Sequence, residues 1–249
     1  SVPIMFNSLA ENERDAFLGL WLPTQKSMIQ KHVETGKIDI VALNLDGAKY
    51  TLAVPKFVYD QGVKSFADLD KFKDKFDGTI LGIESGNDGN QIIKDMIADD
   101  AYGLADWKLL PSSEAGMLTQ VKKNTEDKDW SVFLGWEPHP MNANHDLTYL
   151  TGGDDWFGPD LGGATVYTNT RADYVEECPN VGQFLQNLEF TLAMENEIMG
   201  AILDEGEDPE DAATAWLKAN PGAIEPWLDG VTTRDGDAAL PAVKAALGM

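Results

Sequence analysis

The chain reads as an α/β protein. Short apolar runs bounded by glycine and aspartate alternate with longer segments whose apolar residues recur at helical spacing, and polar capping residues stand at the junctions. Ile38 to Leu43 is the first clear strand. Thr79 to Ile83, led by Asp77-Gly78, is the next. A helix follows it, with Asn87 or Asp88 as its cap and Ile92, Ile93, Met96 and Ile97 on one face. Trp107 to Leu110 predicts a strand, and Ser112 or Ser113 caps a helix carrying Met117, Leu118 and Val121. Val132 to Leu134 predicts a strand running into Gly135-Trp136. One more strand, Ala164 to Thr168, leads into a mostly helical tail, in which Phe184 to Leu203 is strongly periodic. Asp208-Pro209-Glu210 opens a further helix with proline at its first position, and Ala212, Ala213, Trp216 and Leu217 are expected to form its buried face. Strands alternating with helices in this way predict parallel sheets.

Composition narrows the function. The 249 residues accommodate one large or two small domains. A net charge of −23 argues against nucleic acid and anionic membranes, both of which need clustered Lys and Arg, and is compatible with solubility or with a field that draws in small cations. No apolar run reaches the roughly 18 residues of a membrane span. No basic segment followed by an apolar one marks a signal peptide, a test on which a processed secreted chain and a cytosolic one look alike.

Catalytic signatures are sparse. Gly82-Ile83-Glu84-Ser85-Gly86 places serine one position away from a nucleophile elbow, and there is no phosphate-binding glycine loop. The three histidines are dispersed, and His139 and His145 make no helical pair, so no metal site is expected. The acidic stretch Gly152-Gly153-Asp154-Asp155 lacks the calcium-loop pattern. More informative is Glu84 to Asn90, which joins a strand end to a helix start. Such a loop presents backbone N–H groups where ligands bind in α/β sheets, and it equally serves as a plain helix cap.

Three aromatics stand where strands are expected to give way to loops: Trp21 before Leu22-Pro23, Tyr50 after Gly47-Ala48-Lys49, and Trp136 after Phe133-Leu134-Gly135 and before Glu137-Pro138. Rings facing a cleft form a receptor for a quaternary ammonium group. Taken singly, each ring could equally be a core or rim residue. Trp107, Trp156, Trp216 and Trp227 are read as core or surface residues.

Four segments occur in order: Gly47-Ala48-Lys49-Tyr50-Thr51-Leu52-Ala53, Gly82 to Asn90, Ser112 to Leu118, and Phe133 to Asn142. Met194 to Gly200 and Ile224 to Leu228 follow them. In these the chain resembles, essentially from end to end, the choline-binding periplasmic proteins of bacterial ABC importers, within the glycine betaine/carnitine/choline group. The resemblance implies a two-lobe periplasmic binding protein fold with two crossing hinge strands, at Tyr50-Thr51-Leu52 and Ala164-Thr165-Val166-Tyr167. Residues 1–52 and 165–249 would form one lobe and 53–164 the other. It implies that Trp21, Tyr50 and Trp136 belong to an aromatic box for a trimethylammonium group and that Asn87 helps to close the site. Trp21 and Tyr50 would lie on the first lobe and Asn87 and Trp136 on the second. It further implies a periplasmic monomer that takes choline, needs no cofactor, and delivers its ligand to an ABC transporter permease. Glycine betaine, carnitine, acetylcholine or a sulfonium analogue are the alternative ligands. An enzyme acting on a choline derivative is disfavoured by the lack of a nucleophile–base pair, and a ligand-free sensory domain is a third reading.

Family members also carry an opening strand, turn and helix ahead of the segment that matches Ser1-Val2-Pro3. The resemblance places there another box tryptophan, an aspartate for the choline hydroxyl and often a cysteine. Cys178 is the sole cysteine here, in Glu176-Glu177-Cys178-Pro179. Composition alone favours a buried thiol over the orphan of a disulfide pair; its acidic neighbours disfavour a reactive thiolate, and an oxidising compartment favours a disulfide. The expectation is a partner cysteine near the natural N-terminus of the full-length protein. Thiol titration of that protein without reductant should find no free thiol, and one freely titrating thiol would count against the pairing.

Overall fold

A computed structural model describes all residues, Ser1–Met249. The chain divides into two compact units: unit 1 comprises Ser1–Ile4, Pro23–Lys26 and Gly47–Ala164, and unit 2 comprises Met5–Leu22, Ser27–Asp46 and Thr165–Met249. The strands are β1 (Ala16–Leu22), β2 (Ile38–Pro55), β3 (Thr79–Leu81), β4 (Lys108–Leu110), β5 (Phe133–Glu137), β6 (Leu147–Tyr149) and β7 (Gly163–Arg171).

The expected strand beginning at Ile38 does not stop at Leu43. It continues through Asp46-Gly47 to Pro55, with Gly47 at φ +77°. A dipeptide that reads as a turn is here a local kink, because glycine accepts the left-handed conformation without ending the ladder. The chain thus passes from unit 2 to unit 1 at Asp46–Gly47, and back at Ala164–Thr165 on β7.

In unit 1 the second half of β2 pairs antiparallel with β5, Lys49 opposite Glu137 through Ala53 opposite Phe133, and with β6 from Ala53 to Pro55. β3 pairs parallel with β4 and with β5, and an isolated parallel bridge joins Ser65 and Thr151. The expectation of parallel sheets therefore holds only for those strands. Tyr50–Leu52 pair with β5, and the Leu52 carbonyl also accepts the Leu150 N–H (2.9 Å); they belong to unit 1, not to a lobe made of residues 1–52 and 165–249 as expected. Phe133, Leu52, Leu134 and Ile80 are fully buried here. Asn87 caps the Asp88–Ala98 helix and Ser113 caps the Glu114–Asp127 helix, each by accepting the backbone N–H three residues on. Trp107 lies just outside β4, buried against Phe76 with ring centroids 5.7 Å apart.

In unit 2, β1 pairs antiparallel with β7, placing Trp21 opposite Val166. Buried Asn44 on β2 donates to the Leu18 carbonyl (2.9 Å) and to Thr168 Oγ1 (3.0 Å), tying three strands together. The periodic stretch from Phe184 breaks into two helices, Pro179–Asn187 and Leu192–Leu203, because Leu188 is extended and Thr191 caps the second. At the break the Phe190 N–H donates to the Asn44 carbonyl (2.6 Å). Leu185, Leu188 and Trp227 form a core with Phe190, Met194 and Leu217 around it. On the Pro209–Ala219 helix only Ala212 is buried; Ala213, Trp216 and Leu217 are half-buried. The Trp216 indole N–H donates to Glu197 Oε2 at 2.6 Å. Cys178 is half-buried where the Pro179–Asn187 helix begins. No helix is long and apolar enough to cross a membrane.

Phe133 has no exposed surface and joins β5 to both β2 and β3. Phe133→Ala should lower stability by about 3–5 kcal/mol, from lost burial plus the cavity left behind. Urea unfolding followed by circular dichroism checks this, and a loss below about 1 kcal/mol would mean that the site relaxes around the deletion.

Candidate binding site in unit 1

Of the four residues expected to bind ligand, the structure brings Tyr50, Asn87 and Trp136 together in unit 1, while Trp21 lies on β1 in unit 2. Trp21 and Trp136 are each the penultimate residue of a strand, as expected, but Tyr50 sits in the interior of β2. The assignment of Tyr50 to one lobe with Trp21 is thereby corrected: its ladder with β5 groups it with Trp136 and Asn87.

Tyr50 and Trp136 are direct cross-strand partners. Opposed residues of an antiparallel pair project from the same face, so the register alone brings the two rings together. Their centroids are 6.1 Å apart and their planes 88° from parallel, an edge-to-face arrangement. Phe157 meets the Tyr50 ring in the same way, at 6.1 Å and 82°. Tyr50 is 6% exposed, whereas Trp136 is only half-buried. Leu52 and Leu134 lie on the same face by the period of two and are fully buried.

That face packs against the start of the Asp88–Ala98 helix. The Tyr50 hydroxyl donates to Asn87 Oδ1 at 2.7 Å. The same oxygen accepts the Asn90 N–H at 3.2 Å, and Asn87 Nδ2 donates to Asp88 Oδ1 at 3.2 Å. Asn87 is therefore both the helix cap and the seat of the tyrosine. The Gly89 backbone N–H also interacts with the Tyr50 oxygen, and burial, with Asp88 and Glu84 nearby, holds the phenol well above its ordinary pKa. Asn90 fixes the loop from inside: its Nδ2 donates to the carbonyls of Ile83 (2.8 Å) and Glu84 (3.0 Å), and its Oδ1 accepts the Ile83 N–H (3.1 Å).

Asp88 is 2% exposed. Burial pushes its carboxyl above the ordinary range, and the Thr24 and Gln25 side chains partly offset that shift. Its Oδ2 nevertheless has no partner within hydrogen-bonding geometry.

Trp136 is held from its other side. His139, 3% exposed, meets it with ring centroids 4.9 Å apart at 67°. His139 Nδ1 accepts the Met141 N–H (2.9 Å), which leaves Nε2 to donate to Glu114 Oε1 at 3.1 Å. Asn142 Nδ2 donates to the Trp136 carbonyl (2.8 Å), and Tyr149 Oη donates to Asn142 Oδ1 (2.8 Å). Burial and the Glu137 charge raise the pKa of Tyr149.

Sequence reading missed Phe157, Thr24 and Gln25, and it named His139 and Asp88 without the roles they have here. Asn90 was visible in the Glu84–Asn90 motif as a polar residue, but its role inside the loop was not. The pattern of a long-range ring contact such as Tyr50–Phe157 leaves no local trace.

A methyl group at Gly89 would collide with the Tyr50 hydroxyl and lie 2.9 Å from Leu134 Cδ2. Gly89→Ala should destabilise the protein by about 1–3 kcal/mol through overpacking, and should displace Tyr50 from Asn87. Thermal unfolding and the tyrosine ultraviolet difference spectrum check this; an unchanged melting temperature and spectrum would show that the helix start has room to shift.

The geometry can be compared with known proteins. The family model of the substrate-binding domain of ABC-type glycine betaine transport systems matches residues 1–219. The glycine betaine/carnitine transport binding protein GbuC of Listeria monocytogenes is 31% identical over 210 residues, 84% of this chain and 65% of that protein. A protein of Chromohalobacter salexigens known as ORF1 is 48% identical over 92 residues, 37% of this chain and 59% of that one. The chain thus spans less than two thirds of the length of these two curated relatives. Among solved structures, an ABC-transporter choline binding protein in complex with choline is 56% identical, covers 100% of this chain and 86% of its own, and superposes with a TM-score of 0.97. The fold of this chain is the two-lobe α/β fold of periplasmic binding proteins. By these matches, the chain belongs to the family of substrate-binding domains of ABC-type glycine betaine transport systems.

Proposed function

We propose that the protein captures choline through an aromatic box and hands it to an ABC transporter permease. The observation that carries this reading is the register that sets Tyr50 directly opposite Trp136, with Asn87 locked onto the tyrosine hydroxyl. The ligand class of the choline-bound relative, 56% identical over the whole chain, points the same way. A trimethylammonium group carries no N–H, so hydrogen-bond acceptors do not recognise it in the usual way. Ring faces attract it through their quadrupole, at about 0.5–2 kcal/mol per contact and more when desolvated. Three or four such contacts with apolar burial would suffice for micromolar affinity, about −8 kcal/mol. Trp21, from unit 2, is proposed as a further wall of the box.

The working compartment of such a protein is the periplasm or the outer face of the cell, where the importer collects its substrate. We read the chain as a receptor and not an enzyme. The family consists of substrate-binding transport domains, and both His139 ring nitrogens are engaged, one by a backbone N–H and the other by Glu114. Glycine betaine is the second reading, favoured by the family model and by GbuC.

Trp136→Ala should weaken choline binding at least about tenfold, equivalent to roughly 1.4 kcal/mol. Calorimetry with the purified chain measures it. An alanine variant that binds as tightly as the parent would exclude Trp136 from the site.

A further inference from the structure

We infer that Asp88 is the residue that makes this site select a purely cationic ligand over a zwitterionic one. The inference rests on the quaternary-ammonium reading and names the ligand charge that the site discriminates.

Asp88 is the first residue of the Asp88–Ala98 helix and follows Asn87, the residue that seats Tyr50. Its side chain is almost entirely out of water, with one oxygen held by Asn87 Nδ2 and the other unpartnered. A buried carboxylate with one oxygen unpartnered gains from a positive charge placed nearby. Coulomb attraction requires no N–H on the ligand and is stronger at the reduced dielectric of a buried site than in water. The helix N-terminus helps to keep the negative form in place.

A ligand such as glycine betaine brings a carboxylate of its own. Asp88 and Glu84 both act electrostatically at Tyr50, and each repels it. Four donors near Tyr50 are already engaged. Asn87 Nδ2 is held by Asp88, and Asn90 Nδ2 by the Ile83 and Glu84 carbonyls. The Gly89 N–H faces the Tyr50 oxygen. Lys49, adjacent to Tyr50 in β2, is paired with Glu137 at 3.1 Å. The three arginines, Arg14, Arg171 and Arg234, all belong to unit 2. Unit 1 thus presents negative charge and no uncommitted guanidinium at this position.

The groups that face the Asp88 carboxyl are Asn87 and Tyr50, the Thr24 and Gln25 side chains from the Pro23–Lys26 segment, and the Glu84 charge. Acidification discharges Asp88, so choline affinity should fall with pH while glycine betaine, still ionised at its own carboxylate, loses a repulsion.

The test is calorimetry with choline and glycine betaine on the parent chain and on Asp88→Asn, which keeps the shape and removes the charge. The parent should prefer choline. The variant should lower the choline-to-betaine affinity ratio at least about tenfold, and the pH dependence of that ratio should flatten. An unchanged ratio in a folded Asp88→Asn protein overturns the assignment. If that variant does not fold, the parent is titrated toward acid; a ratio that falls supports the inference, and one that stays constant until the protein unfolds overturns it. A parent that prefers glycine betaine overturns the role of Asp88 and leaves quaternary-ammonium capture standing. A parent that binds neither ligand removes both.

Discussion

The Tyr50 hydroxyl at the head of the Asp88–Ala98 helix is the contact around which unit 1 is organised. Tyr50 is an interior strand residue whose polar tip must be satisfied away from water, and Asn87 Oδ1 satisfies it at 2.7 Å. A buried hydroxyl without a partner costs about 1–3 kcal/mol, so the tyrosine and the helix cap constrain one another. The same oxygen caps the helix through the Asn90 N–H. Glycine at position 89 is what lets the backbone come close enough. One side-chain amide therefore connects strand register, helix start and ring position.

The rings inherit their positions from that arrangement. Trp136 faces Tyr50 because β5 lies beside β2 in a register that sets the two residues opposite each other. His139 and Asn142 then hold Trp136 from the far side through interactions that leave little freedom. The His139 Nδ1 accepts from a backbone N–H, its Nε2 reaches Glu114, and Asn142 grips the Trp136 carbonyl. A half-buried tryptophan whose surroundings are this well bonded has little rotamer freedom left to lose.

Charge around the site is also decided by bonding, not by the overall −23 of the chain. The acidic surface is spread over the molecule and is largely screened by salt. Asp88 differs from those surface charges because it is buried and incompletely paired, so its field is screened far less. The two kinds of negative charge differ in reach: the first is a screened surface field, the second acts locally beside Tyr50.

Local chemistry in the sequence determined much of the framework. The Asn87 and Ser113 caps, the Asp208-Pro209 helix start, the β3 and β7 strands and the aromatic character of positions 21, 50 and 136 all follow from short-range rules of dihedral preference, capping and apolar period. The family resemblance added the fold and the set of residues to look for. What the sequence left open depends on contacts between distant segments. That β2 runs on through Asp46-Gly47, that its partners are antiparallel, and that Tyr50 therefore belongs with Asn87 and Trp136 were decided by ladder pairing across some 85 positions of chain. Phe157 against Tyr50, and Asp88 buried near Thr24 and Gln25, were decided by packing. Periodicity records which side of an element is apolar. It carries no record of which other element will cover that side, and burial, pairing and the pKa of a carboxyl all depend on the covering element.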